Sequence, residues 1–178
     1  MNNHIETLRA LLPLGEPRGG RMDWGRVEAG ICSSLPRDYK ELIDSCGGGL
    51  VDEYLLLLEP GSSHRAYDLE RVLGQRLEAN EILWDLEPPP PEVTEDNARL
   101  IPWATTDNGE YLYWAAAKGV PPEEWRVLIN DASSTVWETY GMTCTEFLAS
   151  VLNRNITSNI LWSRFPLEEH TFRSVREM

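Results

Sequence analysis

Leu35-Pro36-Arg37-Asp38-Tyr39-Lys40-Glu41-Leu42-Ile43-Asp44-Ser45-Cys46-Gly47-Gly48-Gly49 reads as a short amphipathic helix with a marked start and a marked stop. Proline just inside a helix start is already set for helical φ, and its missing N–H removes one donor that a first turn leaves unpaired. Tyr39, Leu42, Ile43 and Cys46 then recur at i, i+3, i+4 and i+7, which makes one apolar helical face. The glycines that follow can take the left-handed conformation that ends a helix and turns the chain.

Outward from this helix the chain alternates helical and extended patterns. Upstream, Ile5, Leu8, Leu11 and Leu12 predict a first helix that Pro13 and Gly15 break, and a polar glycine- and arginine-rich loop runs from Glu16 to Arg21. Asp23 is placed to cap a second helix carrying Trp24, Val27 and Ile31 on one face. Downstream, Tyr54-Leu55-Leu56-Leu57-Leu58 is a continuous apolar run closed by Pro60-Gly61, too short for a free-standing helix, and predicts a buried strand. Asp68 caps a longer helix with Leu69, Val72, Leu73, Leu77, Ile82 and Leu83 at about helical spacing, ended by Pro88-Pro89-Pro90-Pro91.

A block of extended segments comes next. Residues 99–104 form the first, and Pro102 within it implies an edge or a bulge. Asp107-Asn108-Gly109-Glu110 is a tight-turn signal leading to 111–115, and 125–130 and 135–140 follow. Successive strands joined by short polar turns predict an antiparallel meander. Thr143-Cys144-Thr145-Glu146 matches a capping box ahead of a last core helix with Phe147, Leu148, Val151 and Leu152 inside. The order predicts an α+β fold: a mixed, mostly antiparallel sheet with helices packed on it.

A chain of 178 residues with 42% hydrophobic content and seven tryptophans suits one domain around a single core. No apolar run approaches the roughly 20 residues that a membrane span needs. Met1-Asn2-Asn3-His4-Ile5-Glu6 lacks the basic region and long apolar stretch of a signal peptide, so the expected compartment is the cytoplasm. Without secretion the Asn155-Ile156-Thr157 acceptor pattern means nothing. Cys32, Cys46 and Cys144 are odd in number and far apart, which excludes a disulfide framework and a zinc site.

The net charge of −13 is unevenly spread. Between Leu77 and Asn153 fourteen acidic residues face only Arg99, Lys118 and Arg126. Seven of them (Glu78, Glu81, Asp85, Glu87, Glu92, Glu95 and Asp96) fall within nineteen residues that hold no base. Such a field argues against nucleic-acid or anionic-membrane binding and favours a basic partner; plain solubility is the alternative reading. Trp84 and Leu86 supply apolar anchors inside the charged stretch.

Motifs for chemistry are missing. His4, His64 and His170 sit in three different regions, each without a ligand or base partner at motif spacing, and no HExxH, GxSxG, GxGxxG or P-loop pattern is present. The glycine run follows a helix instead of preceding one and lacks the Lys-Ser/Thr of a phosphate loop. Base stacking by the aromatic β block fails on electrostatics, because hardly any Lys or Arg stands nearby. No catalytic residue, cofactor or metal is expected.

Taken with its surroundings, the Leu35–Gly49 stretch resembles the opening motif of the SUKH superfamily, which holds yeast cell-wall assembly regulators and many bacterial toxin-immunity proteins. In that family a Trp and a Glu on a preceding helix lead to a Leu-Pro-x-x-Tyr-Lys helix, a Gly-Gly turn, an apolar strand and a Pro. Here Trp24, Glu28, Leu35, Pro36, Tyr39, Lys40, Gly47, Gly48 and Pro60 fall in that order. The Asn-Gly hairpin and the Thr143-x-x-Glu146-Phe147-Leu148 helix carry the likeness across residues 24–153. It implies a SUKH-like domain there, preceded by an N-terminal helix and loop at 1–23; the extension at 154–178 lies outside the likeness, and its Ile160, Leu161, Trp162, Phe165 and Phe172 predict that it packs on the domain. The implied function is a non-catalytic immunity protein that neutralises a cognate, basic protein toxin, nucleases being one common type, acting as a monomer or weak dimer. The alternative is a scaffold or regulatory module of the cell-wall assembly type. Glu81, Trp84, Asp85, Glu87, Glu92, Glu95, Asp96, Asp107 and Glu110 are the expected partner-binding residues.

Overall fold

The computed structural model describes residues 3–15 and 20–178, and the polar loop expected at Glu16–Arg21 lies mostly outside them. The opening stretch folds as helix α3, Arg37–Cys46, with Tyr39, Leu42, Ile43 and Cys46 all buried. Pro36 sits one place earlier than expected, at the N-cap, with an extended ψ of 138°. Gly47 closes the helix at φ 72°, and its N–H donates to the Ile43 carbonyl at 2.8 Å.

Helices α1 (Asn3–Leu11), α2 (Trp24–Ile31), α4 (Leu69–Leu83), α5 (Pro91–Thr94) and α6 (Cys144–Leu152) complete the α-helices among the described residues. The expected caps form. Asp23 accepts from the Arg26 N–H, Asp68 from that of Glu70, and Thr143 from that of Glu146. Helix α4 ends at Leu83, five residues before the proline run. That run does not merely stop a helix, because Pro91 occupies the first turn of α5, where a missing N–H costs nothing.

Seven strands form one sheet in the order β6-β5-β4-β3-β2-β1-β7, and every pair is antiparallel. They are β1 (Gly49–Val51), β2 (Leu55–Leu57), β3 (Arg99–Thr106), β4 (Tyr111–Ala116), β5 (Arg126–Asn130), β6 (Trp137–Tyr140) and β7 (Phe172–Ser174). The expected meander is therefore present as β3 to β6, and the sheet continues through the expected β2 into two further strands, β1 and β7. Gly49 belongs to β1 and not to the turn, and a side chain there would run into the Phe172 ring, 2.5 Å from an ideal Cβ. The expected Tyr54–Leu58 strand shortens to Leu55–Leu57, because Asp52 and Glu53 take φ near +50° and turn β1 tightly into β2. Pro102 lies in a central strand, tolerated by a register shift between Pro102 and Ala104, so the bulge and not the edge explains it.

Alternation along β3, β4 and β5 divides the core in two. Ile101, Trp103, Leu112, Trp114, Val127 and Ile129 join the main core with α1, α3 and α6. Leu100, Tyr113, Ala115 and Leu128 join a smaller cluster with Ala98, against which Trp84, Val93 and Trp137 pack. Leu8 of α1 and Leu12 just beyond it are buried in the main core, so the N-terminal helix shares one core with the rest. The extension packs on the domain too: β7 seals the edge of β1, and Leu161 and Phe165 are buried in the main core.

Candidate protein-interaction surface

The motif residues all carry the scaffold. Leu35 is buried beside Pro36. The Trp24 indole N–H donates to Asp44 at 3.1 Å, and Glu28 accepts from the Leu35 N–H and the Lys40 ammonium, both at 2.8 Å. The Tyr39 hydroxyl donates to the Leu58 carbonyl at 2.6 Å, and its ring meets Trp114 edge-on. Burial holds the Tyr39 phenol well above its ordinary pKa. Gly48 approaches β2 so closely that a Cβ would stand 2.8 Å from the Leu57 carbonyl oxygen.

The nine expected binding residues separate into groups. Glu81, Asp85 and Glu87 are exposed on α4 and the helical turn beyond it, where Leu86 and Glu87 donate to the Leu83 carbonyl. Glu95 and Asp96 are exposed just after α5. Trp84 and Val93 pack on the same small cluster, which sets the end of α4 beside α5. Trp84 is thus half-buried against that cluster; the free apolar groups here are Ile82 and Leu86, 68% and 80% exposed.

Glu92, Glu110 and Asp107 do not belong to that surface. Glu92 is 8% exposed and accepts from the Thr139 hydroxyl at 2.7 Å. Glu110 is 7% exposed; its carboxylate accepts from the Tyr54 hydroxyl at 3.0 Å and from the Thr106 hydroxyl, because the chain returns there from the hairpin turn into the sheet. Asp107 is exposed, but at the far end of β3 from Asp96, about 25 Å away for eight strand residues.

What remains is an acidic stretch of surface: Glu78, Glu81, Asp85 and Glu87 on α4 and the turn beyond it, with Ile82 and Leu86 exposed among them, and Glu95 and Asp96 after α5. None of these acids enters an ion pair among the described residues. No basic residue stands in the last turn of α4, although cations and not anions are favoured at that end of the helix dipole. A cleft of about 410 Å³ beside α5 mixes Glu92, Asp96 and Glu124 with Lys118 and Arg126.

Two cysteines and one histidine elsewhere are held in structural surroundings. Burial pushes the Cys46 thiol up to about 12 and raises Cys144 as well, so neither is a thiolate nucleophile near neutral pH. The fold does give His170 a partner that its sequence spacing hid: its Nδ1 lies 2.9 Å from the buried Asp52 carboxylate, 118 residues away in the chain. Asp52 also accepts from the Leu167 and Thr171 N–H groups, which makes the cluster an anchor for the extension. On the sheet face under α4, Arg76 stands 4.4 Å over the Tyr111 ring and donates to the Tyr113 hydroxyl and to Asn80, a network with no motif to announce it. Among the described residues no group of three or more His, Cys, Asp or Glu is placed to hold a metal ion, and no helix is long and apolar enough to cross a membrane.

Comparison with family models, curated proteins and solved structures gives no match to this chain.

Proposed function

We propose that this protein is a non-catalytic inhibitor of the SUKH immunity type, which binds a basic protein toxin in the cytoplasm and blocks it by occupancy. One observation carries the reading: six exposed acids, none in an ion pair among the described residues, lie along the end of α4, the turn beyond it and the residues after α5, with Ile82 and Leu86 exposed along the same stretch. Acids at a helix C-terminus each cost about 0.3–1 kcal/mol when exposed, so solubility alone is served better by placing them elsewhere. Exposed apolar groups among charged ones are the composition of a protein interface. The field of such a surface steers a cationic partner and raises its association rate, and a covered cleft excludes substrate without any chemistry.

The experiment is co-expression with the toxin-like C-terminal domain of a protein encoded beside this one. Rescue of growth and a complex on size exclusion are the expected results. No rescue and no complex remove the reading for that pair. Within a complex, charge reversal at Glu81, Asp85, Glu95 and Asp96 slows association and flattens its salt dependence, whereas an unchanged on-rate at low salt places the interface elsewhere.

A further inference from the structure

The extension lines a half-open cavity that the acidic surface does not use. Its volume is about 470 Å³, and it lies between the last turn of α6 and the loop at 154–168. Val151, Leu161 and Phe165 supply apolar wall, and Arg154 and Arg164 line the cavity beside Trp162. Trp162 remains 39% exposed, and the Arg164 guanidinium stands 5.3 Å from its ring centroid. Arg154 Nη2 donates to the Pro166 carbonyl at 3.3 Å, which ties that guanidinium to the loop, and among the described residues its other donors are left open. Glu168 is the one acid in the lining, and among the described residues it pairs with neither arginine.

Guanidinium forks beside apolar wall match a carboxylate carried on an apolar body: the fork takes two oxygens side by side and the wall takes the body. The volume falls in the range of small-ligand sites. A polyanion fits poorly. The chain's charge of −13 repels it, and two guanidinia set against Glu168 leave a single positive charge to hold it. We propose that this cavity binds an apolar monocarboxylate, either a small free acid or the same group at the C-terminus of a peptide.

The test is an NMR titration of the full chain with N-acetyl-phenylalanine and with a short peptide ending in Gly-Phe, each as the acid and as the amide. The acids shift the Trp162 indole N–H saturably and the amides do not. Arg164→Gln weakens the binding about tenfold, with the Trp103 and Trp114 indole signals in place to show an intact fold. Arg164→Lys, which keeps the charge but loses the planar fork, falls between the two. Binding of N-acetyl-phenylalanine supports the proposal with a free acid as source; binding of the peptide acid alone supports it with a chain end. Equal shifts from acid and amide, no saturable shift from any of the four at millimolar concentration, or an Arg164→Gln chain that binds as tightly as the parent overturns it.

Discussion

Glu110 and Glu81 look alike in the sequence, both acids in a base-poor stretch, yet the fold treats them in opposite ways. Glu110 is buried under two hydroxyl donors at the foot of a hairpin, and Glu81 stands free in the last turn of α4. A buried carboxylate persists only where donors replace its water, so its partners set its energy. An exposed carboxylate in the wrong half of a helix dipole is slightly unfavourable, and no folded-state contact accounts for it. Acid count therefore says little about an interface. What matters is which acids the fold has left without work.

The sharpest break of this contrast is Glu110→Ala. It strips the Tyr54 hydroxyl and the Thr106 hydroxyl of a shared acceptor, and Tyr54 in turn receives the Trp162 N–H of the extension at 2.9 Å. A loss of about 3 kcal/mol is expected, from hydrogen bonds to a charged group and the buried partners left behind. Urea unfolding reads it, and amide exchange at Trp162 should rise with it. A change under about 0.5 kcal/mol, the range of ordinary surface substitutions, would mean that Glu110 belongs with the free acids after all. Glu92→Ala is the milder version, with one hydroxyl donor on an exposed threonine; a loss of about 1 kcal/mol is expected on the same measurement.

Alkaline titration examines the same buried side from its donor. Burial pushes Tyr54, Tyr113 and Tyr140 up to about 12 from an ordinary value near 10. The unfolded chain therefore releases these protons first as pH rises. The stability they support is complete below pH 10 and falls away toward 12. Tyrosinate absorbance and loss of structure should rise together in that window, and a set of tyrosines that ionises near 10 while the fold persists would contradict the burial that sets Glu110 and Tyr54 together.

The α+β architecture was legible because its signals are local. Asp23, Asp68 and Thr143 announce helix starts, and Asn108-Gly109 announces a hairpin. Two strands were not legible for reasons equally physical. The strand β7 has three residues and gains its place by pairing with β1, more than 100 positions away, and β1 opens on Gly49, a residue that reads as a stop until Phe172 is seen to need the space. The candidate surface was half legible. Charge density marks the region, but the sequence cannot tell that Thr139 stands over Glu92 or that eight residues of β3 carry Asp107 away from Asp96. Asp52 and His170 gave no signal, since an anchor of this kind exists only after the chain has closed.

The smallest effect is the most telling, because its sign separates folding from binding. Glu81 lies in the last turn of α4, where the unpaired carbonyl groups gather, and that turn holds no base. Glu81→Lys replaces an unfavourable end charge by a favourable one and lowers the repulsion from Glu78 and Asp85, its neighbours at i−3 and i+4. Stability should rise by up to about 0.5 kcal/mol, read as a small increase in urea midpoint with an unchanged slope. The same change should slow association with a basic toxin. A residue that folding would exchange and binding would keep is held by binding. If Glu81→Lys instead lowers stability, the exposed acidic surface is part of the fold's own electrostatics, and the distinction between Glu81 and Glu110 narrows to one of degree.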